Sequence, residues 1–111
     1  MQFEWDEAKS EACFLARGFD FAYAAQAFFD PDRLVRSDTR RLYGEDRYQL
    51  LGKIGPRLFA VVYTPRQDAM RIISARKANQ REINHYGHQD STHHPRPPRA
   101  SIAGPRPPER T

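Results

Sequence analysis

The middle of the chain contains three short segments of strand character, separated by two tight turns, and this spacing limits the folds that it can adopt. Residues 47–54 alternate in polarity, residues 58–64 are largely apolar, and residues 70–75 resume the apolar pattern. Gly55-Pro56 and residues 65–68 form the turns. Segments joined by so few residues pair antiparallel, because parallel pairing needs a long crossover. We therefore predict a β-meander, with one mostly polar and basic face on its first strand.

A helix is predicted ahead of this meander, beginning after Asp6 and ending at Gly18. Aspartate accepts the free N–H groups of a first helical turn, and glycine adopts the left-handed C-cap conformation. Residues 3–5 alternate in polarity before it, a pattern that permits a short strand. The predicted apolar stripe of the helix consists of Ala8, Ala12, Leu15 and Ala16, and its flank carries Lys9, Cys13 and Arg17 at intervals of four.

A second helix is predicted from Asp20 to Asp30-Pro31, where proline disfavours helical geometry in the residue before it. The residues predicted to be buried have the spacing of one helix face: Phe21, Ala24, Ala25 and Phe28. Leu34 and Val35 are then predicted to form a short edge strand, followed by a polar connection over residues 38–44. The predicted order is two helices and then a sheet.

The segment Arg71 to Tyr86 is predicted to run from a strand into a polar helix. One face of that helix would carry Ala78, Asn79, Glu82, Ile83 and Tyr86. A carboxylate and a phenol among packing residues fit either proton transfer or simple packing, and the spacing leaves both readings open. Residues 87–111 hold six of the nine prolines, three of the four histidines and no aromatic residue. We predict a domain over residues 1–86 and a disordered tail over residues 87–111.

Composition indicates a cytoplasmic protein that makes no use of disulfides. The 111 residues include 18 Lys and Arg against 14 Asp and Glu, a net charge of +4, and 15 of the 18 cations are arginine. The planar guanidinium group of arginine matches the geometry of phosphate oxygens, so arginine is well suited to phosphate recognition. Cys13 is the single cysteine, and the N-terminus carries neither a basic n-region nor an apolar run that would direct export or membrane insertion. A chain this short favours chemistry on a surface or groove over a deep cavity.

Familiar enzyme motifs are missing, since the chain has no glycine-rich phosphate loop, GxSxG elbow, CxxC pair or HExxH helix. The histidines lack regular ligand spacing, so neither a metal site nor a cofactor is predicted. What remains is a group of cations with a few proton carriers: Lys9, Arg17, Glu45, Arg47, Arg71, Arg76, Glu82 and Tyr86. Cleavage of RNA without metal needs a base, an acid and cations that stabilise the phosphorane charge.

Four segments, taken in order, resemble the BrnT family of toxins from type II toxin-antitoxin systems. They are FEWDEAK at 3–9, the segment 18–28, GEDRYQLLG at 44–52, and RIISARKANQRE at 71–82 closed by Tyr86. The resemblance implies an α+β, RelE-like fold with two N-terminal helices, a small antiparallel sheet and a C-terminal helix. It also implies a metal-independent endoribonuclease that inhibits translation. Its implied partners are RNA and a DNA-binding, BrnA-like antitoxin, with DNA contacted only through the antitoxin complex.

The resemblance also matches individual residues to positions of the family's motifs: Lys9, Glu45, Arg47, Arg71, Arg76, Glu82 and Tyr86. With this resemblance, we predict that Lys9, Arg47, Arg76, Glu82 and Tyr86 are catalytic and that Arg17, Glu45, Arg71 and Lys77 bind RNA. Where the family has Lys-His-Gly at the end of the first helix, this chain has Ala16-Arg17-Gly18. Arginine cannot act as a neutral base near neutral pH. The alternatives are therefore a catalytically weak or inactive homologue that binds the antitoxin in operon autoregulation, and a metal-dependent nuclease that uses the histidines of the tail.

Overall fold

The computed structural model describes residues 1–38 and 44–90. The elements in this part of the chain are β1 Gln2–Trp5, α1 Glu7–Arg17, α2 Phe21–Ala24, a 3-10 helix Ala25–Phe29, β2 Leu34–Ser37, β3 Tyr48–Ile54, β4 Arg57–Arg66, β5 Ala69–Lys77 and α3 Gln80–Asp90. None of the described helices is long and apolar enough to cross a membrane. The predicted α+β class is confirmed.

The five strands form one sheet in the order β1-β5-β4-β3-β2. The predicted meander is confirmed, because β3, β4 and β5 pair antiparallel, and β2 adds the predicted edge strand. The prediction of a purely antiparallel sheet is wrong, since β1 pairs parallel with β5. The long stretch of chain between β1 and β5 supplies the crossover that a parallel pair requires.

The helix α1 packs against the sheet with a different face from the one predicted. Its caps are as expected, because Asp6 accepts the backbone N–H groups of the first turn and Gly18 adopts a left-handed C-cap with φ of 87°. The predicted apolar stripe is wrong, since all four of its members are exposed. Ser10 and Cys13 are buried instead: the Ser10 hydroxyl accepts the Phe21 N–H at 3.0 Å, and the Cys13 thiol donates to the Ala75 carbonyl at 3.6 Å. These two hydrogen bonds therefore determine which face of α1 is buried, and the apolar spacing did not predict that face.

The second helical segment has the predicted cap and core. Asp20 accepts the Tyr23 N–H at 2.9 Å, and the four predicted residues Phe21, Ala24, Ala25 and Phe28 are buried. The α-helix ends at Ala24, however, and continues as the tighter 3-10 helix. That segment approaches β3 at Gly52, where a Cβ atom would overlap the Ala27 carbonyl oxygen. Glycine therefore lets the segment pack directly on the sheet.

The helix α3 begins with a reciprocal cap in which Asn79 accepts the Glu82 N–H at 2.8 Å and Glu82 accepts the Asn79 N–H at 2.9 Å. Of its predicted packing face, Glu82 and Tyr86 are buried, whereas Ile83 is exposed. The helix extends to Asp90, four residues into the predicted tail. The remaining tail residues 91–111 lie outside the described residues, as does most of the predicted connection, residues 39–43.

Candidate functional site

The sheet has two faces, and α3 covers only part of one of them. The larger core lies on the face that packs against α1 and α2, where Ile72 and Ala75 of β5 point. On the opposite face the Tyr86 ring of α3 packs with Leu51, Leu58 and Ala60. The rest of that opposite face carries the charged side chains described below.

Strand register places Arg36, Arg66, Arg71 and Arg76 on this opposite face, which we call the arginine face. Arg47 directly precedes β3 and completes the face, because it shares the Glu45 carboxylate with Arg66. Side chains alternate between faces along a strand, and paired residues share a face. Arg71 is paired with Thr64, and Arg76 with Ala60, two positions of β4 that point the same way. Val62 and Ser74 form the pair between them. The arginines therefore surround a small neutral centre on the sheet.

A bulge in β5 is the reason that Arg71 and Arg76 lie on one face. Five positions separate them, so a regular strand would place them on opposite faces. The pairing shifts between Val62 and Tyr63, whose partners are Ser74 and Ile72, and Ile73 is the extra residue. One inserted residue reverses the alternation beyond it. The bulge thus aims both guanidinium groups at the same surface.

Carboxylates hold four of these guanidinium groups. Arg71 lies 3.2 Å from Glu4 of the parallel strand β1, and Glu45 lies 3.5 Å from Arg47 and 3.2 Å from Arg66. The Arg36 guanidinium donates to the Gln49 amide at 3.1 Å. These side chains remain partly exposed, and such pairs contribute little to stability while restricting where the charges point. The arginine face is therefore ordered before any ligand arrives.

The pair between Arg76 and Glu82 is the most tightly held of these contacts. Both guanidinium ends donate to the two carboxylate oxygens at 2.8 Å, and the Glu82 side chain is only 8% exposed, against 38% for Arg76. The hydrogen bonds from Arg76 lower the pKa of Glu82, with further contributions from the Asn79 N–H and the charge of Arg36, while burial opposes them. Glu82 is therefore an anion at neutral pH and orients the Arg76 fork.

Tyr86 is held in a buried contact of its own. Its hydroxyl donates to the Asp30 carboxylate at 2.6 Å, and the same carboxylate oxygen accepts the backbone N–H of Lys53 at 2.7 Å. The Lys53 ammonium lies 5.5 Å from the centre of the Tyr86 ring. This arrangement joins α3 to β3 and to the end of the 3-10 helix.

Three predicted site residues lie away from the arginine face. Lys9 is an exposed residue of α1, on the other side of the sheet. Arg17 and Lys77 line a groove of 540 Å³ between the end of α1 and the turn that joins β3 to β4, and Arg57 lines it with them. The structure therefore brings together six predicted residues, Glu45, Arg47, Arg71, Arg76, Glu82 and Tyr86, on one layer and places Lys9, Arg17 and Lys77 on another.

Sequence reasoning missed Arg36, Arg66, Glu4 and Ser74. Arg36 follows the predicted edge-strand residue Val35, so alternation carried one residue further would have placed it on a face with Gln49. Glu4 carried no such signal, because its contact with Arg71 depends on the parallel pairing of β1. Exposed Ser74 lies two residues before Arg76 and shares its face by ordinary alternation, so the same rule would have found it.

Chemically, the arginine face is suited to holding an anion that is larger than one carboxylate. Several planar guanidinium groups converge on it, and each can donate hydrogen bonds to two oxygens of a phosphodiester. Among residues 1–38 and 44–90, no group of three His, Cys, Asp or Glu side chains is placed to hold a metal ion. The Cys13 thiol faces the other layer, and burial there raises its pKa.

Comparison with known proteins places the chain in a family. No curated protein matches the chain. The family model described as the ribonuclease toxin BrnT of type II toxin-antitoxin systems matches residues 5–82, which include α1, the whole meander and the beginning of α3. That range contains Arg47, Arg71, Arg76 and Glu82 together with the bulge that orients them. The chain belongs to the BrnT family of ribonuclease toxins.

Proposed function

We propose that this protein is a metal-independent endoribonuclease that cleaves RNA on the arginine face and thereby inhibits translation. The observation that carries the proposal is the placement of Arg47, Arg71 and Arg76 on one exposed sheet face, each already oriented by a carboxylate. Family membership supports a ribonuclease activity in general terms. The RelE-like description of the fold belongs to the same proposal.

In this mechanism the RNA backbone lies across the sheet, over Val62 and Ser74. The 2′-hydroxyl attacks the adjacent phosphorus, the bond to the 5′-oxygen breaks, and a 2′,3′-cyclic phosphate is left on one product. Negative charge builds up on the phosphorane oxygens during the attack. Arg71 and Arg76 stabilise that charge, and preorganised donors of this type contribute about 10²- to 10³-fold each in rate.

We infer the parts of the predicted proton carriers from their contacts. Glu82 uses both oxygens to hold Arg76, so it is a positioning residue for that guanidinium. Tyr86 donates its proton to Asp30 and anchors α3. Lys9 lies on the helical layer. We assign proton transfer to the partly exposed carboxylates of the arginine face, Glu4 or Glu45, each beside an arginine that the substrate phosphate can occupy.

A type II family implies an antitoxin partner as well as RNA. We propose a DNA-binding, BrnA-like antitoxin whose bound segment covers the arginine face, since acidic side chains would replace the substrate phosphates there. DNA would be contacted only through the complex.

The full-length protein, purified and treated with EDTA, is the material for the test. Cleavage of RNA that leaves cyclic phosphate ends is expected, and Arg76→Ala and Arg71→Ala should each lower kcat about 100-fold or more. Arg81→Ala is the matched control, because this exposed cation belongs to α3 and not to a strand that carries the arginine face. Activity that requires a divalent cation, or that survives both substitutions, contradicts the proposal. Glu4→Gln and Glu45→Gln separate the two proton carriers by their pH profiles.

The second candidate is a homologue without catalytic activity that binds the antitoxin and takes part in operon autoregulation. Ala16-Arg17, in place of the family's Lys-His pair, favours it. Induction of the chain alone in a bacterial host distinguishes the two. Growth arrest that disappears in Arg76→Ala supports the enzyme, whereas well-expressed folded protein without arrest supports the binding module.

A further inference from the structure

The groove on the α1 side of the sheet combines three cations with exposed aromatic rings. Arg17, Arg57 and Lys77 line it, together with Phe14 and Tyr23. We call this surface the α1 groove. Phe14 is 53% exposed and Tyr23 is 42% exposed. Rings that face solvent beside cations are the features with which proteins bind unpaired nucleotides.

The cations of the α1 groove differ from those of the arginine face in their contacts. Within residues 1–38 and 44–90, none of Arg17, Arg57 and Lys77 forms an ion pair. The one carboxylate of the groove, Asp20, caps α2 through the Tyr23 N–H. With three cations and one carboxylate, the groove carries a net positive charge, which favours phosphate over an apolar or basic ligand.

The rings are held in place by the core behind them. Tyr23 meets Phe59 edge to face at a centroid distance of 5.8 Å and lies 6.2 Å from Phe19. Phe19 and Phe59 are themselves buried. A ring fixed in this way offers a stacking surface at little cost in side-chain entropy.

The α1 groove and the arginine face meet at the end of β5. Lys77 follows Arg76 directly, and the Arg76 guanidinium also donates to the Lys77 carbonyl at 3.3 Å. Their side chains point to opposite faces of the sheet, so one nucleic-acid strand contacts both residues by passing around the edge of β5. β1 pairs only with Ala69–Ile72, so it does not extend along β5 to this end.

We propose that the α1 groove is a second RNA subsite, which binds an unpaired nucleotide flanking the cleaved bond. Phe14 and Tyr23 stack on its base, and Arg17, Arg57 and Lys77 contact its phosphates. This inference rests on the proposed function, because it places the scissile phosphate beside Arg76. In this proposal Arg17 contacts phosphate, which arginine can do without acting as a base.

Binding is tested with full-length protein in the Arg76→Ala background with EDTA, so that the RNA stays intact. The probe is a fluorescein-labelled oligouridylate of about 12 nucleotides, followed by anisotropy. Phe14→Ala should weaken binding about fivefold or more, the lower range for loss of one stacked base. Lys77→Ala and Arg57→Ala should weaken it and reduce the salt dependence by about one counterion each.

Two matched controls keep the test specific. Leu15→Ala removes a neighbouring α1 side chain that is 76% exposed and does not line the groove, and Arg81→Ala removes a cation of α3. Both should bind as the parent does. If Phe14→Ala and Lys77→Ala bind the RNA with affinities within twofold of these controls, the subsite is refuted. A protein partner then remains as the occupant of the groove. Thermal unfolding of each variant shows that the fold is intact.

Cleavage by the otherwise unaltered protein separates this inference from the proposed function. If that protein cleaves RNA in EDTA and Phe14→Ala leaves KM for a long RNA unchanged, the subsite is refuted and the ribonuclease stands. If RNA is bound through the groove but never cleaved, the ribonuclease is refuted and the α1 groove stands as an RNA-binding surface. A raised KM for long RNA, with kcat unchanged, is the result expected when both are correct.

Discussion

Replacing Glu82 by glutamine tests the central contact of the arginine face. The substitution keeps the shape of the side chain but removes its charge and one of the two acceptor oxygens that hold Arg76 at 2.8 Å. A hydrogen bond to a charged group contributes about 1.5–3 kcal/mol. Breaking a fully buried ion pair costs about 3–5 kcal/mol, whereas an exposed pair contributes about 0–1 kcal/mol.

The pair lies between these limits, because Glu82 is 8% exposed and Arg76 is 38% exposed. Water can replace part of the hydrogen bonding that Arg76 loses. We therefore expect Glu82→Gln to lower the free energy of unfolding by about 2 kcal/mol at about pH 7. For a domain of this size that corresponds to a fall in Tm of about 8–16 °C. Urea unfolding followed by circular dichroism measures it, with exposed Glu11→Gln of α1 as the control.

The same variant has a characteristic pH dependence. The pKa of Glu82 is lowered in the folded protein, so its carboxylate stabilises the fold above the pKa of the unfolded chain and loses that effect as pH falls through the folded pKa. The difference between the parent and Glu82→Gln should therefore be full above about pH 5 and shrink as pH falls below about 4.3. A loss under about 0.5 kcal/mol at neutral pH, or a loss that does not change with acidification, refutes the reasoning.

Two further substitutions test contacts that position the site. Tyr86→Phe removes the buried 2.6 Å hydrogen bond to Asp30 and should lower the free energy of unfolding by about 1–3 kcal/mol, measured by urea titration. Gly52→Ala places a Cβ against the Ala27 carbonyl oxygen, and should cost about 3 kcal/mol or abolish soluble expression, because backbone cannot yield as a side chain does.

Each of these substitutions has a matched control in the chain. Tyr23→Phe removes a hydroxyl from a partly exposed ring and should change the free energy of unfolding by less than about 0.5 kcal/mol. Gly87→Ala adds a methyl group to α3 where nothing lies within 4 Å, and should leave the protein as stable or stabilise it by up to about 1 kcal/mol. If Tyr86→Phe is as harmless as Tyr23→Phe, Tyr86 does not anchor α3 through Asp30.

Local patterns in the sequence determined the helix caps and the antiparallel meander. Asp6, Gly18 and Asp20 make their capping contacts with residues only a few positions away, so the sequence alone predicts their roles as helix caps. Phe21 and Phe28 are buried as their spacing predicts. Local rules fail for α1, because the Ser10 and Cys13 contacts that choose its buried face reach residues distant in sequence.

The sequence by itself thus determined which arginines and glutamates the protein has and which elements carry them, and family motifs singled out most of them. Tertiary structure decided which of them share a surface. Arg71 and Arg76 lie on one face because the bulge at Ile73 reverses the alternation between them, and Glu4 reaches Arg71 because β1 pairs parallel with β5. Lys77 points to the other layer because it directly follows Arg76 on β5, and Lys9 and Arg17 lie there because α1 packs on that side of the sheet. Strand register depends on partners far away in the chain, and spacing along one strand does not encode it.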